Sequence, residues 1–148
     1  MQKLIVKGKR KLSGSINISG SKNATLPILA AAILTDKSLT LKNIPLVQDV
    51  YTMIKLLKFI GLSVEILKKK NNLNILNNKK LKTVAPYNLL KTMRAGVLVL
   101  GPLLAKYKIA KVSLPGGCAI GARPVDLHLF ALEKLGAKIK IKNGYIYA

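Results

Sequence analysis

Several residue types are scarce in this sequence, and each shortage excludes something. The 148 residues include one cysteine, Cys118, so no disulfide can form within the chain. A single thiol fits a reducing compartment, and the chain is expected to be cytoplasmic. Only one histidine is present, His128, with no second ligand and no cysteine partner at metal spacing, so it is assigned no role. There is no tryptophan, and the two phenylalanines and five tyrosines do not interleave with basic residues as a base-stacking platform would require. Long apolar runs are missing too. Ala24–Leu34 and Ala95–Ala105 fall short of the roughly 20 residues needed to cross a bilayer, and proline interrupts both. The opening "MQKLIVKGKRKL" has neither a continuous apolar segment nor a small-residue cleavage site, so a signal peptide is not expected. Carboxylates are few: Asp36, Asp49, Glu65, Asp126 and Glu133 are all there are. Nothing has the spacing of a Walker loop or a dinucleotide fingerprint.

What is abundant is apolar residues, half of the chain, and cations. The apolar half is enough for one domain with a real core and argues against disorder. The net charge of +21 comes from 26 Lys and Arg, spread along the chain with short runs at Lys68–Lys70 and Lys79-Lys80. This dispersal does not make a specific nucleic-acid surface. It would favour small phosphorylated substrates and leaves a loose, non-catalytic polyanion-binding module as the alternative.

Periodicity predicts alternating strands and helices. Leu4–Val6 and Ser15–Ile18 bunch or alternate β-branched residues between glycines and are expected as strands. Asn23–Leu34 is expected as a helix with Ser21 as its cap. Strand Leu39–Leu41 precedes an amphipathic helix, Gln48–Ile60. Its Val50, Met53, Ile54, Leu57 and Ile60 share a face, while Asp49, Thr52, Lys55 and Lys58 point away. Strands Ser63–Leu67 and Leu73–Leu76 follow. Tyr87–Leu104 is expected to be largely helical with a break at Gly101-Pro102. The remainder reads as strand Ile109–Leu114, helix Val125–Leu135 capped by Gly136, then strands Lys138–Ile141 and Tyr145-Ile146. Val50–Ile66 and Val125–Ile141 match without gaps at an offset of 75, with Gly61 opposite Gly136. This internal repeat runs approximately over 21–76 and 87–148, and such units normally stack on further copies.

Three stretches carry candidate chemistry. Cys118 lies in "SLPGGCAIGARPVDLH", flanked by Gly116-Gly117 and Gly121. It is either a small buried apolar residue or an accessible thiol on a mobile loop, able to act as nucleophile or general acid. Arg123, Pro124, Val125, Asp126 and Leu127 open a helix. Proline suits the first helical position, and free amides beside an arginine suit phosphate, although an ordinary helix start with a solvated arginine explains the run equally well. Ser21-Lys22-Asn23 is a second helix start carrying a cation. Lys91-Thr92-Met93-Arg94 is expected in a helix, where a solvated basic face is the better explanation.

Taken together, "SGSKNATLPILAAAIL", "APYNLLKTMRAG" and "SLPGGCAIGARPVDLHLFALEKLGA" closely resemble the UDP-N-acetylglucosamine 1-carboxyvinyltransferase (enolpyruvyl transferase) family. The likeness runs the whole length of the chain. The sister family that makes 5-enolpyruvylshikimate 3-phosphate shares the repeat architecture but not the cysteine loop. The resemblance implies an α/β fold, the inside-out α/β barrel of enolpyruvyl transferases, with about the first two repeats represented here. It implies transfer of enolpyruvyl from phosphoenolpyruvate to the 3-hydroxyl of UDP-N-acetylglucosamine with release of phosphate, the first committed step of peptidoglycan synthesis. No metal or organic cofactor is implied. Lys22 and Asn23 match residues that contact phosphoenolpyruvate and the sugar nucleotide. Arg94, Arg123, Pro124, Val125, Asp126 and Leu127 match the UDP-N-acetylglucosamine site. Cys118 matches the proton donor, which can form an adduct with phosphoenolpyruvate and is alkylated by fosfomycin. Members of the family are longer and two-lobed. Residues 1–20 correspond to strands of the other lobe, 21–148 to part of one lobe, and the aspartate base matches none of the five carboxylates. The implied partner is the C-terminal part of the enzyme, with no membrane involvement. The chain is expected to be a fragment or a truncated or split gene product.

Overall fold

The architecture is set by where helix starts and capping glycines fall along the chain. The computed structural model describes residues 3–9, 11–67, 71–77, 80–116 and 125–148. Helix α1 spans Lys22–Ala31 and tightens into a 3₁₀ turn over Ala32–Leu34. Ser21 caps it, its hydroxyl accepting from the Ala24 N–H while Thr25 donates its own hydroxyl to the Ser21 carbonyl at 2.8 Å. Strand β1, Leu39–Leu41, leads to α2, Gln48–Ile60. Helix α2 carries Asp49 in its first turn and Lys58 in its last, each at the end the helix dipole favours. It stops at Gly61, whose φ of 125° no side chain tolerates well. The hairpin β2 (Ser63–Leu67) and β3 (Asn72–Leu76) completes a three-stranded antiparallel sheet in the order β1-β3-β2.

The second half has the same plan. Strand β4 is Val84–Ala85, helix α3 is Tyr87–Leu90, a 3₁₀ segment covers Arg94–Val99, and α4 is Leu100–Tyr107. Then come β5 (Lys111–Ser113), α5 (Asp126–Lys134), β6 (Lys140–Lys142) and β7 (Tyr145–Tyr147). The second sheet runs β4-β5-β7-β6, so β5-β7-β6 reproduces β1-β3-β2, and β4 adds a strand parallel to β5. Gly136, with φ 94°, occupies the place of Gly61.

The helices form the interior. Leu29, Ile33, Met53, Leu57, Leu100 and Leu103 are fully enclosed, contributed by α1, its 3₁₀ extension, α2 and α4. The predicted apolar face of α2 is buried, joined by Leu56. The two halves are also tied by Lys106, which donates to the Ile33 carbonyl at 3.0 Å and to Asp36 at 2.6 Å. Among the described residues no helix is long and apolar enough to cross a membrane.

Three expectations need correction. Leu4–Val6 and Ser15–Ile18 are not strands. No ladder reaches them, and Leu4, Val6, Ile16 and Ile18 are each at least 80% exposed. Alternation supplies a face, but a strand needs a partner edge to satisfy its backbone. The break expected at Gly101-Pro102 falls instead at Lys91–Met93. Pro102 lies in the first turn of α4, where its missing N–H leaves no hydrogen bond unmade. Lys91–Met93 is therefore a turn, and Arg94 opens the 3₁₀ segment rather than lying in a continuous α-helix.

Candidate functional site

Three helices begin around one cavity. It encloses about 510 Å³ and is lined by Lys22, Asn23 and Leu26 of α1, Asp49 of α2, the Thr92–Ala95 turn with Val97 and Leu98, and Val125 and His128 at the start of α5. The helix starts come from residues far apart in sequence, and each leaves backbone N–H groups without intrahelical partners. Their dipoles add partial positive charge at the same place. Two full cations, Lys22 and Arg94, face one carboxylate, Asp49. The local balance is positive and suits an anion.

The ion pair within the cavity is direct. Lys22 Nζ lies 2.8 Å from Asp49 Oδ2, with the two side chains 47% and 35% exposed. A solvated pair of this kind contributes little to stability, about 0.2–1 kcal/mol. Its consequence is geometric: it sets the ammonium beside Asp49 on the cavity wall. Periodicity had placed Asp49 on the face turned away from the core, which is correct and incomplete. That face meets the start of α1. The available signal was the scarcity of carboxylates, since one acid at a helix start among so many cations has few alternatives to pairing.

The chain entering α1 is fixed by the connection between β1 and α2. Asn43, in left-handed backbone conformation with φ 55°, donates its side-chain amide to the Ile18 carbonyl at 3.3 Å. Its Oδ1 accepts from the Gly20 N–H at 3.2 Å. A Cβ on Gly20 would overlap the Asn43 carbonyl oxygen, so only glycine allows this approach. On the other side of the cavity, Gly116 packs so closely on the Lys91 carbonyl that a Cβ would overlap it too. The chain that leads toward Cys118 therefore starts against the turn bearing Arg94.

Of the residues singled out from sequence, Lys22, Asn23, Arg94 and Val125 are brought together on this cavity. Asp126 and Leu127 are exposed on the first turn of α5 and do not line it, Leu127 being 82% exposed. Cys118, Arg123 and Pro124 lie outside the described residues. His128, assigned no role, borders the cavity, as does Thr92. Among the described residues no group of three or more His, Cys, Asp or Glu side chains could hold a metal ion.

Comparison with known proteins bears on the family and the fold. The sequence model of the family described as EPSP synthase (3-phosphoshikimate 1-carboxyvinyltransferase) matches residues 6–148. The UDP-N-acetylglucosamine 1-carboxyvinyltransferase of Pelagibacter ubique (strain HTCC1062) is 62% identical over 148 residues, all of this chain and 35% of that protein. The protein of the same name from Vesicomyosocius okutanii is 57% identical over the same share of both chains. This chain thus spans about a third of the length of the curated relatives it matches. In structure it is similar to the enolpyruvyl transferase NikO from Streptomyces tendae, with a TM-score of 0.76 and 16% identity. That match covers 95% of this chain and 30% of that one.

Proposed function

This chain belongs to the EPSP synthase family, and we propose that it carries part of the substrate site of a UDP-N-acetylglucosamine 1-carboxyvinyltransferase. One observation carries the reading: Lys22, Asn23, Arg94 and Val125, dispersed over a hundred positions, line one cavity where helix starts converge. Both substrates of that reaction are anions, and the relatives so named match the whole chain.

In the proposed reaction the 3-hydroxyl oxygen of UDP-N-acetylglucosamine bonds to C2 of phosphoenolpyruvate while a proton is added at C3. Phosphate then leaves C2 as C3 gives up a proton, which restores the double bond. Lys22 and Asn23 hold the phosphoenolpyruvate anion. Arg94, Arg123 and the Pro124–Leu127 run hold the sugar nucleotide, and Asp49 keeps the Lys22 ammonium aimed at the cavity. Cys118 delivers the proton to C3 as general acid and is the thiol that fosfomycin alkylates. None of the chain's carboxylates is assigned to take the hydroxyl proton, so that base belongs to the length the relatives have beyond this match. Residues 1–20 are proposed to pair with that other lobe. The exposure of Leu4, Val6, Ile16 and Ile18 supports this. The setting is cytoplasmic peptidoglycan synthesis.

Calorimetric titration with UDP-N-acetylglucosamine tests the reading at about 1 M salt, where the Debye length is roughly 3 Å. Specific binding should persist there. Affinity that collapses with salt and shows no preference among anions would instead identify a loose polyanion-binding fragment.

A further inference from the structure

We propose that Asn43 is a positioning residue for the anion site, acting through Gly20 on Lys22 and Asn23. The proposal rests on the functional reading above. Asn43 is not among the residues that line the cavity. Its side-chain amide spans two backbone groups of the entering chain, donating to the Ile18 carbonyl and accepting from the Gly20 N–H. A primary amide that donates and accepts in this way stands in for the peptide group of a neighbouring strand. Here it is the tie that replaces a ladder, because residues 3–9 and 11–19 pair with no strand. Among the described residues, the Asn43 amide makes the hydrogen bonds that join the segment just before α1 to the body of the domain, and Ser21 then caps the helix.

The location of the tie gives it functional weight. Gly20 is two residues from Lys22, and the same β1–α2 connection that bears Asn43 leads into the first turn of α2, where Asp49 pairs with the Lys22 ammonium. One short connection therefore fixes both the backbone entering α1 and the side chain of its first residue. It is anchored in turn: the Ile44 N–H donates to the Asn71 carbonyl at 2.7 Å, and Ile44 is buried. The Gly20 backbone also packs against the Asn43 backbone, so the amide acts across a close approach. Removing the amide should leave the core intact and let the start of α1 shift relative to α2 and the Arg94 turn.

The discriminating variant is Asn43→Gly. Glycine accepts a φ of 55° at no steric cost, so the turn is kept and only the amide is lost. Asn43→Asp keeps an acceptor for Gly20 and loses the donor to Ile18. The measurements are amide hydrogen exchange and phosphoenolpyruvate titration on the isotope-labelled chain, followed by NMR, with a thermal melt of each sample. In Asn43→Gly the Gly20 amide should exchange faster and the Lys22 and Asn23 amides should report phosphoenolpyruvate affinity weakened roughly fivefold, the equivalent of one lost hydrogen bond. The melting temperature should stay within a few degrees. Asn43→Asp should fall between the two. Unchanged Gly20 exchange in Asn43→Gly overturns the tie. Faster exchange with unchanged affinity overturns the positioning role. If the unaltered chain shows no response to phosphoenolpyruvate at Lys22 and Asn23, the functional reading fails and the positioning role with it, whereas the Gly20 exchange result identifies that failure as one of the site and not of the tie.

Discussion

Breaking the Lys22–Asp49 pair from either side should cost the fold equally and change anion binding in opposite directions. Both side chains are more than a third exposed, so solvent screens the pair and its loss should cost at most about 1 kcal/mol. For a domain of this size that corresponds to about 2–4 °C in melting temperature. Binding depends on which charge is removed. Lys22→Met deletes a cation that donates to the ligand phosphate or carboxylate. Charge-assisted hydrogen bonds contribute about 1.5–3 kcal/mol, so affinity should fall about 10- to 150-fold. Asp49→Asn deletes an anion and keeps an acceptor for the ammonium. A phosphate bound on the far side of Lys22 would lie roughly 6 Å from the carboxylate, and relief of that repulsion is worth about 0.7 kcal/mol even at the dielectric constant of water. Affinity should therefore rise about threefold or more. The assay is calorimetric titration with phosphoenolpyruvate, paired with thermal melts of the same preparations. If both variants weaken binding to the same extent, the pair acts as a structural strut and the electrostatic reasoning is refuted. If neither changes it, the cavity is not the anion site.

Two predictions concern the scaffold. Leu57 is fully buried on α2, so Leu57→Ala should lower stability by about 2–5 kcal/mol in urea titration, the cost of lost burial plus a cavity. Lys108 ends α4 in left-handed conformation with φ 61°, a place glycine occupies without strain, so Lys108→Gly should raise stability by about 1 kcal/mol in the same assay.

The contrast between what was and was not legible in the sequence has physical causes. The apolar face of α2, its capping glycine and the hairpins that follow were readable because they depend on neighbours within a few residues. The expected strands at Leu4–Val6 and Ser15–Ile18 failed because pairing depends on an edge that no local pattern supplies. The break in the second helical segment was misplaced at Gly101-Pro102 because proline is tolerated or not according to where the helix begins, and that start follows from packing around Arg94–Val99. Asp49 escaped notice for a related reason. Periodicity ranks positions relative to the core of their own helix, not relative to another helix start 27 residues earlier. Lys22, Asn23 and Arg94 were found as separate features, and their convergence is a property of the fold.

That convergence also decides what the large positive charge does. With 26 cations spread over the chain, charge counting locates an anion nowhere in particular, because at physiological salt interactions beyond about 8 Å are screened. Most of those lysines act as a diffuse attraction that raises encounter rates with any polyanion. The cavity is different in kind. There, the starts of α1, α2 and α5 converge on one lining with Lys22 and Arg94, so a bound anion would meet helix dipoles and cations at close range. Contact interactions survive salt that abolishes the diffuse ones. Neutralising exposed lysines remote from the cavity should therefore lower the salt sensitivity of binding without removing the specific component, whereas a change at Lys22 should remove specificity and leave the salt slope nearly as it was.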